Sequence, residues 1–174
     1  MSWWKALVAA VPLLAACDQG LGVVQNYDRG KISYGMIVDA TKSGGPMKLV
    51  IKGNPFDATD QALEQVLIER LTAASQHRVI QLSTQDPVPV PTTKLIMVVN
   101  AAPSQNAQAL CDGSAPLLAP PPSSDSHLHV RGVLCGAGEL LRDVEGAIKG
   151  ATGPDDARFR KLIYDMGIKL LKRA

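Results

Sequence analysis

The feature that most constrains this chain is an uncharged, largely apolar run from Ala6 to Ala16, which lies between Lys5 and Cys17. The run is too short for a membrane-spanning helix, because crossing a hydrocarbon core takes roughly 20 apolar residues. A positive charge, a short apolar run and small residues before a polar stretch are instead typical of a cleaved secretion signal. We therefore assign residues 1–16 to a signal peptide and exclude them from the folded domain.

The end of this signal carries a four-residue motif, Leu14-Ala15-Ala16-Cys17. It resembles, at every position, the lipobox of bacterial lipoproteins, Leu-Ala-(Gly/Ala)-Cys. The resemblance implies lipidation of the Cys17 thiol by acyl chains such as palmitate, cleavage before Cys17, and acylation of the new amino group. Two or more chains, at about 0.8 kcal/mol per buried methylene, make such an anchor effectively permanent. The alternative is a buried cysteine at the end of an ordinary N-terminal helix.

The resemblance also implies a location, with the mature protein anchored by lipid to a cell membrane and facing the periplasm. Asp18 follows Cys17 directly. In enteric bacteria an aspartate at this place resembles the signal that keeps a lipoprotein in the inner membrane. The rule differs between bacterial groups, so Asp18 favours the inner membrane and the choice between the two membranes stays open.

If lipid occupies Cys17, two cysteines remain, Cys111 and Cys135. An even remainder in an exported protein predicts one disulfide bond. The alternatives are a reactive thiol or a metal-binding pair, but catalytic dithiols are usually spaced C-x-x-C and these two cysteines are not. In the chain-entropy model, a bond that closes a loop of this length stabilises the fold by roughly 3–4 kcal/mol.

The rest of the chain predicts one small α/β (α+β) domain. Residues 17–31 are polar and contain glycine, which favours a lipidated tether, and residues 32–174 then form the globular part. We expect a mixed sheet of about four strands packed with two or three helices. Strands are predicted at 47–52, 78–83, 95–99 and 127–135, and helices at 59–75, 139–148 and from Pro154 onward, whereas 32–41 fits either a helix or a strand.

Three of these elements have clear signals. The unbroken apolar run Leu95–Val99 predicts a central strand covered on both faces. Asp57 or Thr59 can cap the helix predicted at 59–75, because either side chain can accept an amide hydrogen of the first turn. The last helix carries an apolar stripe at helical spacing, formed by Phe159, Leu162, Ile163, Met166 and Leu170.

Composition and motifs argue against several classes of function. The net charge of +2 includes Lys5 of the signal, so the mature chain lacks the concentrated basic field of a nucleic-acid-binding protein. Both tryptophans, Trp3 and Trp4, belong to the signal, which argues mildly against a carbohydrate-binding site. The chain contains no G-x-S-x-G, G-x-x-x-x-G-K-[ST] or H-E-x-x-H motif. We therefore expect a non-catalytic protein with no cofactor.

Two candidate sites remain. Asp125, His127 and His129 alternate along a predicted strand, so that their side chains could supply three ligands to a metal; the alternative is an ordinary solvated strand face.

Leu117 and Leu118 are apolar residues in the proline-rich stretch 115–124, where a stiff segment loses little entropy on docking a partner. The alternative is that both leucines belong to the core.

The leading interpretation is a membrane-anchored envelope lipoprotein that interacts with an envelope protein or assists an assembly or transport complex. The alternative is a periplasmic metal-binding protein or hydrolase that uses Asp125, His127 and His129.

Overall fold

A computed structural model of the chain describes residues 22–42, 45–75, 80–85, 92–102, 104–114 and 127–172. These residues form a single mixed α/β domain, which confirms the predicted fold class. The sheet has six strands and the described residues form four helices, so the expectation of about four strands and two or three helices was too low. In chain order the elements are β1 (Gly22–Asp28), α1 (Lys31–Lys42), β2 (Met47–Lys52), α2 (Asp60–Ala74), β3 (Leu82–Ser83), β4 (Thr93–Val99), α3 (Ala107–Asp112), β5 (His127–Gly136), β6 (Glu139–Lys149) and α4 (Ala157–Leu171).

The strands lie in the order β1-β6-β5-β4-β2-β3. β2 pairs in parallel with β3 on one side and with β4 on the other. The pairs β4–β5, β5–β6 and β6–β1 are antiparallel. β1 and the two-residue β3 are therefore the edge strands, and β4 is a central strand, as its apolar sequence predicts.

The side chains of β4 alternate between two separate cores. Leu95, Met97 and Val99 pack with residues of α1, α2 and α4 on one face of the sheet, which we call the helical face. Ile96 and Val98 pack with α3 on the opposite face, which we call the α3 face. β4 is thus covered on both sides, and this explains why its sequence has no polar alternation.

The long helices begin and end close to where the sequence predicts. Thr59 caps α2, accepting a hydrogen bond from the Ala62 amide, and Asp156 caps α4 by accepting from the Arg158 amide. The apolar stripe of α4 is fully buried. Pro154 lies before this cap and not within the helix, and the ambiguous segment 32–41 lies in α1.

The predicted helix over 139–148 is wrong, because these residues form β6. β5 and β6 are joined by a two-residue turn in which Ala137 has φ +50° and Gly138 has φ +84°. Two positive φ values are typical of the tight turn that matches the twist of a hairpin. Alanine rarely takes such a conformation, so Ala-Gly carries none of the sequence signal that Asn-Gly would.

Part of the segment predicted as a tether, residues 17–31, belongs to the sheet. Residues 22–28, which the composition assigns to a linker, form β1. From Gly22 to Asp28 this strand pairs with Ala147 to Arg142 of β6. The globular part therefore begins by Gly22 and not at residue 32. A strand at the edge of a sheet is held by backbone hydrogen bonds on one side and needs few apolar side chains, which is why β1 looks like a linker in sequence.

Candidate functional site

Half of the predicted site residues can be placed in the structure. Cys17, Leu117, Leu118 and Asp125 lie outside the described residues. The disulfide pair and the two histidines lie within them, and all four belong to elements next to or within β5.

The predicted disulfide is confirmed. Cys111 of α3 is bonded to Cys135 of β5, with 24 residues of sequence separation between them. Both residues are almost fully buried in the core of the α3 face. The bond therefore fastens the short helix α3 directly onto the sheet, and it closes a loop that includes the proline-rich stretch.

His127 and His129 share the α3 face of β5. They lie opposite Lys149 and Ala147 of β6, so their side chains are two residues apart on one face. His129 is exposed and His127 is half-buried. Lys149 is the residue paired with His127 on the neighbouring strand. Its positive charge is unfavourable for a metal ion at this place. Within the described ranges no three His, Cys, Asp or Glu side chains come close enough to hold a metal.

The next residue on this face, Arg131, forms a buried ion pair that the sequence did not reveal. Its Nε and Nη2 donate to the two carboxylate oxygens of Asp143 at 2.9 and 2.7 Å, and its Nη1 donates to the Gln105 carbonyl. Glu145 adds a second carboxylate 3.2 Å from Nη1. Burial alone would lower the pKa of Arg131, but the bond to Asp143 and both negative charges raise it.

A second buried arginine, Arg142, lies on the helical face of β6. Its Nε donates to Oδ1 of Asp28 on β1 at 2.9 Å, and its Nη1 donates to the carbonyls of Leu170 and Lys172 at the end of α4. These two buried arginines are charged groups with paired partners. Arg131 joins β5 to β6, and Arg142 joins β6 to β1.

The edge strand β1 contains a β-bulge between Gln25 and Tyr27. Val24 lies opposite Glu145 and Tyr27 lies opposite Asp143, so both side chains lie on the α3 face although they are three residues apart. An unbulged strand would send them to opposite faces. Val24, Tyr27 and Ile32 are the exposed large apolar side chains of the described part of the chain, with 60%, 43% and 54% of their surface accessible.

A surface cavity of about 510 Å³ lies between β2 and the first turns of α2. Its polar side chains contact one another. Lys48 donates to the Thr84 carbonyl, the Thr84 hydroxyl donates to Glu64, and the Asn54 amide donates to Asp60. These bonds join β2, α2 and the segment after β3, so we assign the lining a structural role and do not choose it as the functional site.

No described helix is both long and apolar enough to cross a bilayer.

Comparisons with known proteins leave the family open. No family model and no curated protein matches the chain. Two similar solved structures are PelC dodecamers from Paraburkholderia phytofirmans, both 12% identical to this chain. The similarity to one covers 87% of this chain and 94% of the PelC chain, with a TM-score of 0.42. The similarity to the other covers 88% of this chain and 99% of the PelC chain, with a TM-score of 0.47. We infer neither family nor assembly from similarities this distant.

Proposed function

We propose that this chain is a non-catalytic lipoprotein of the cell envelope, anchored through Cys17, whose folded domain contacts another envelope protein in an assembly or transport complex. The observation that carries the proposal is the place of the lipobox-like motif relative to the fold. Four residues, Asp18 to Leu21, separate Cys17 from the first residue of β1. The signal, the lipid-accepting cysteine and the folded domain thus follow one another with almost no intervening chain.

The disulfide supports the same compartment. Disulfide bonds persist in oxidising environments such as the periplasm and are rare in the reducing cytosol. The bonded pair Cys111–Cys135 leaves Cys17 as the remaining cysteine of the chain. This is the pattern expected when one thiol is taken by lipid and the others are oxidised after export.

We propose that the partner protein binds to Leu117 and Leu118 in the proline-rich stretch 115–124. In sequence this stretch lies between Ser114 and His127, within the segment that the disulfide bond closes. Prolines limit the conformations that Leu117 and Leu118 could lose on binding, which favours contact with a partner.

Processing of the full-length chain tests the anchor. In a Gram-negative host supplied with labelled fatty acid, the wild-type protein should be cleaved, labelled and recovered in the membrane fraction. Cys17→Ser should accumulate as an unlabelled precursor, because the thiol must accept lipid before cleavage. The matched control is the double variant Cys111→Ser with Cys135→Ser, which should still be labelled. Equal processing and membrane recovery of Cys17→Ser would contradict the proposal.

Cross-linking in intact membranes tests the partner. The variant Leu117→Ala with Leu118→Ala should lose cross-links to a specific envelope protein while its melting temperature stays near that of wild type. Fully burying one leucine contributes roughly 1.5–3 kcal/mol, so a large drop in melting temperature with cross-links intact would show that these leucines are core residues and would remove them as the docking site.

A further inference from the structure

We propose that the two exposed apolar side chains on the α3 face of β1, Val24 and Tyr27, here called the β1 patch, rest on the headgroup region of the membrane that holds the anchor. The inference depends on the proposed function, because the acyl chains on Cys17 supply the membrane. It adds an orientation: the β1 end of the α3 face is turned toward the bilayer, and α2 and α4, which pack on the helical face, lie on the far side of the sheet.

The length of the connection carries the first step. Four residues between Cys17 and Gly22 span at most about 17 Å when fully extended. A lipidated Cys17 lies at the membrane surface, so the start of β1 stays within that distance of it. Val24 follows Gly22 by two residues. The anchor therefore keeps the first exposed apolar side chain of the domain close to the lipid headgroups.

The bulge carries the second step. It places Val24 and Tyr27 on the same face of β1, where both are exposed. Without the bulge one of the two would point toward the helical face, where Val23 already packs on the core. Bulges re-aim side chains at sheet edges, and this one brings a valine and a tyrosine together on the outside of the domain.

The chemistry of the patch carries the third step. Tyrosine is enriched at the membrane interface, because its ring is apolar and its hydroxyl reaches water and headgroups. The neighbouring charges are mixed: the patch lies opposite Glu145 and Asp143, whose carboxylates both pair with Arg131. Lys31, which follows β1, is exposed. Arg29 lies between β1 and Lys31 and forms an exposed ion pair with Glu139. Basic residues beside a membrane anchor are attracted to anionic lipids.

A second strand, from another copy or another protein, is the competing occupant of this edge. The bulge makes β1 a poor template for such pairing, because bulges twist an edge strand away from a regular ladder. Contact with a bilayer does not require the aligned backbone hydrogen bonds that strand pairing requires, and separate side chains can enter the headgroup region to different depths. The membrane therefore fits the β1 patch better than an added strand.

The absence of tryptophan from the mature chain permits a direct test. Tyr27→Trp and Tyr164→Trp each create a single tryptophan in the processed, lipidated protein, one in the β1 patch and one on α4 on the opposite side of the sheet. Each protein is reconstituted in vesicles of phosphatidylethanolamine and phosphatidylglycerol, with and without lipids brominated close to the headgroup. A further variant, Val24→Trp, repeats the patch measurement if Tyr27→Trp fails to fold.

We expect brominated lipid to quench the patch tryptophan several-fold more than the tryptophan at position 164, and its emission to shift to the blue on reconstitution. Equal quenching at the two positions, or none at the patch, in protein that floats with the vesicles overturns the orientation while the anchor stands. Protein that fails to float overturns the anchor and the orientation with it. Absent quenching together with concentration-dependent protection of β1 amides from hydrogen exchange would assign the patch to a second copy.

Discussion

Asp28 and Arg142 form an ion pair across β1 and β6, with the Asp28 Oδ1 atom 2.9 Å from the Arg142 Nε atom. The Arg142 side chain is fully buried, and its Nη1 atom also donates to the Leu170 and Lys172 carbonyls. One guanidinium therefore binds the edge strand and the C-terminal end of α4 together. Basic groups are favourable at this end of a helix, where carbonyls have no partner within the helix.

We expect Asp28→Ala to lower the free energy of unfolding by about 3 kcal/mol, because removing one partner leaves the Arg142 charge buried without compensation. The estimate is at the low end of the usual range because Asp28 keeps some solvent access, with its side chain 20% exposed. Urea unfolding at neutral pH measures the difference. Asp57→Ala, at an exposed carboxylate, is the control and should change little.

The same pair predicts how stability depends on pH. Burial alone would raise the pKa of Asp28, but hydrogen bonds from Arg142, Gly30 and Gln25 and the charge of Arg142 lower it to about 2. Because the folded-state pKa is lower than the unfolded one, the contribution of Asp28 is complete above about pH 4 and is lost as the pH falls toward 2.

Between these limits the wild type should lose about 2 kcal/mol more stability than Asp28→Asn, whose side chain does not titrate. Unfolding in urea at a series of pH values in this window checks the difference. Parallel curves for the two proteins would mean that Asp28 titrates normally in the folded state.

The contact between α2 and α4 predicts opposite effects for two glycine substitutions. A Cβ atom on Gly167 would lie 2.6 Å from the Cβ atom of Ala74, whereas one on Gly35 in α1 would meet nothing within 4 Å. Alanine is favoured over glycine in a helix by about 1 kcal/mol, but separating two packed helices costs about 1–3 kcal/mol.

Gly167→Ala should therefore destabilise the domain by about 1–2 kcal/mol, and Gly35→Ala should stabilise it by up to about 1 kcal/mol. Thermal melting of both variants beside the wild type measures the two signs. If Gly167→Ala were as stabilising as Gly35→Ala, the two helices would have to lie farther apart than described.

Removing the disulfide by Cys111→Ala with Cys135→Ala should lower the free energy of unfolding by roughly 3 kcal/mol, since the closed loop then regains its freedom in the unfolded chain. A reductant should lower the melting temperature of the wild type and leave that of the double variant unchanged. Recovery of both cysteines as free thiols from the envelope, by mass mapping without reduction, would refute the bond.

Local patterns predicted the elements that bury their own apolar residues. Leu95–Val99 lies in the central strand, the stripe from Phe159 to Leu170 is buried in α4, and Thr59 caps α2. In each case the signal comes from residues within one strand or a few turns of helix. A polar side chain at the buried apolar positions would have no partner, and the cap at Thr59 needs only an amide of the next turn, so each requirement is visible in the sequence itself.

The antiparallel half of the sheet could not be predicted in the same way. In β6, Arg142 and Asp143 are buried charges and look like the solvated side of a helix in sequence. Their partners, Asp28 and Arg131, lie on other strands, and one is 114 residues away. Pairing across strands is set by register, which a local hydrophobic pattern does not contain when charges replace apolar residues.

The sequence alone predicts a signal with a lipobox-like end at Cys17, and it determined the even pair Cys111 and Cys135 and the helices and strands with regular apolar spacing. Each of these depends on neighbouring residues or on counting. The tertiary structure decided that β1 belongs to the sheet, that β6 is a strand, and which faces carry Val24 and Tyr27. These features arise from backbone pairing, a bulge and long-range ion pairs, whose free energy exists only once distant segments lie side by side.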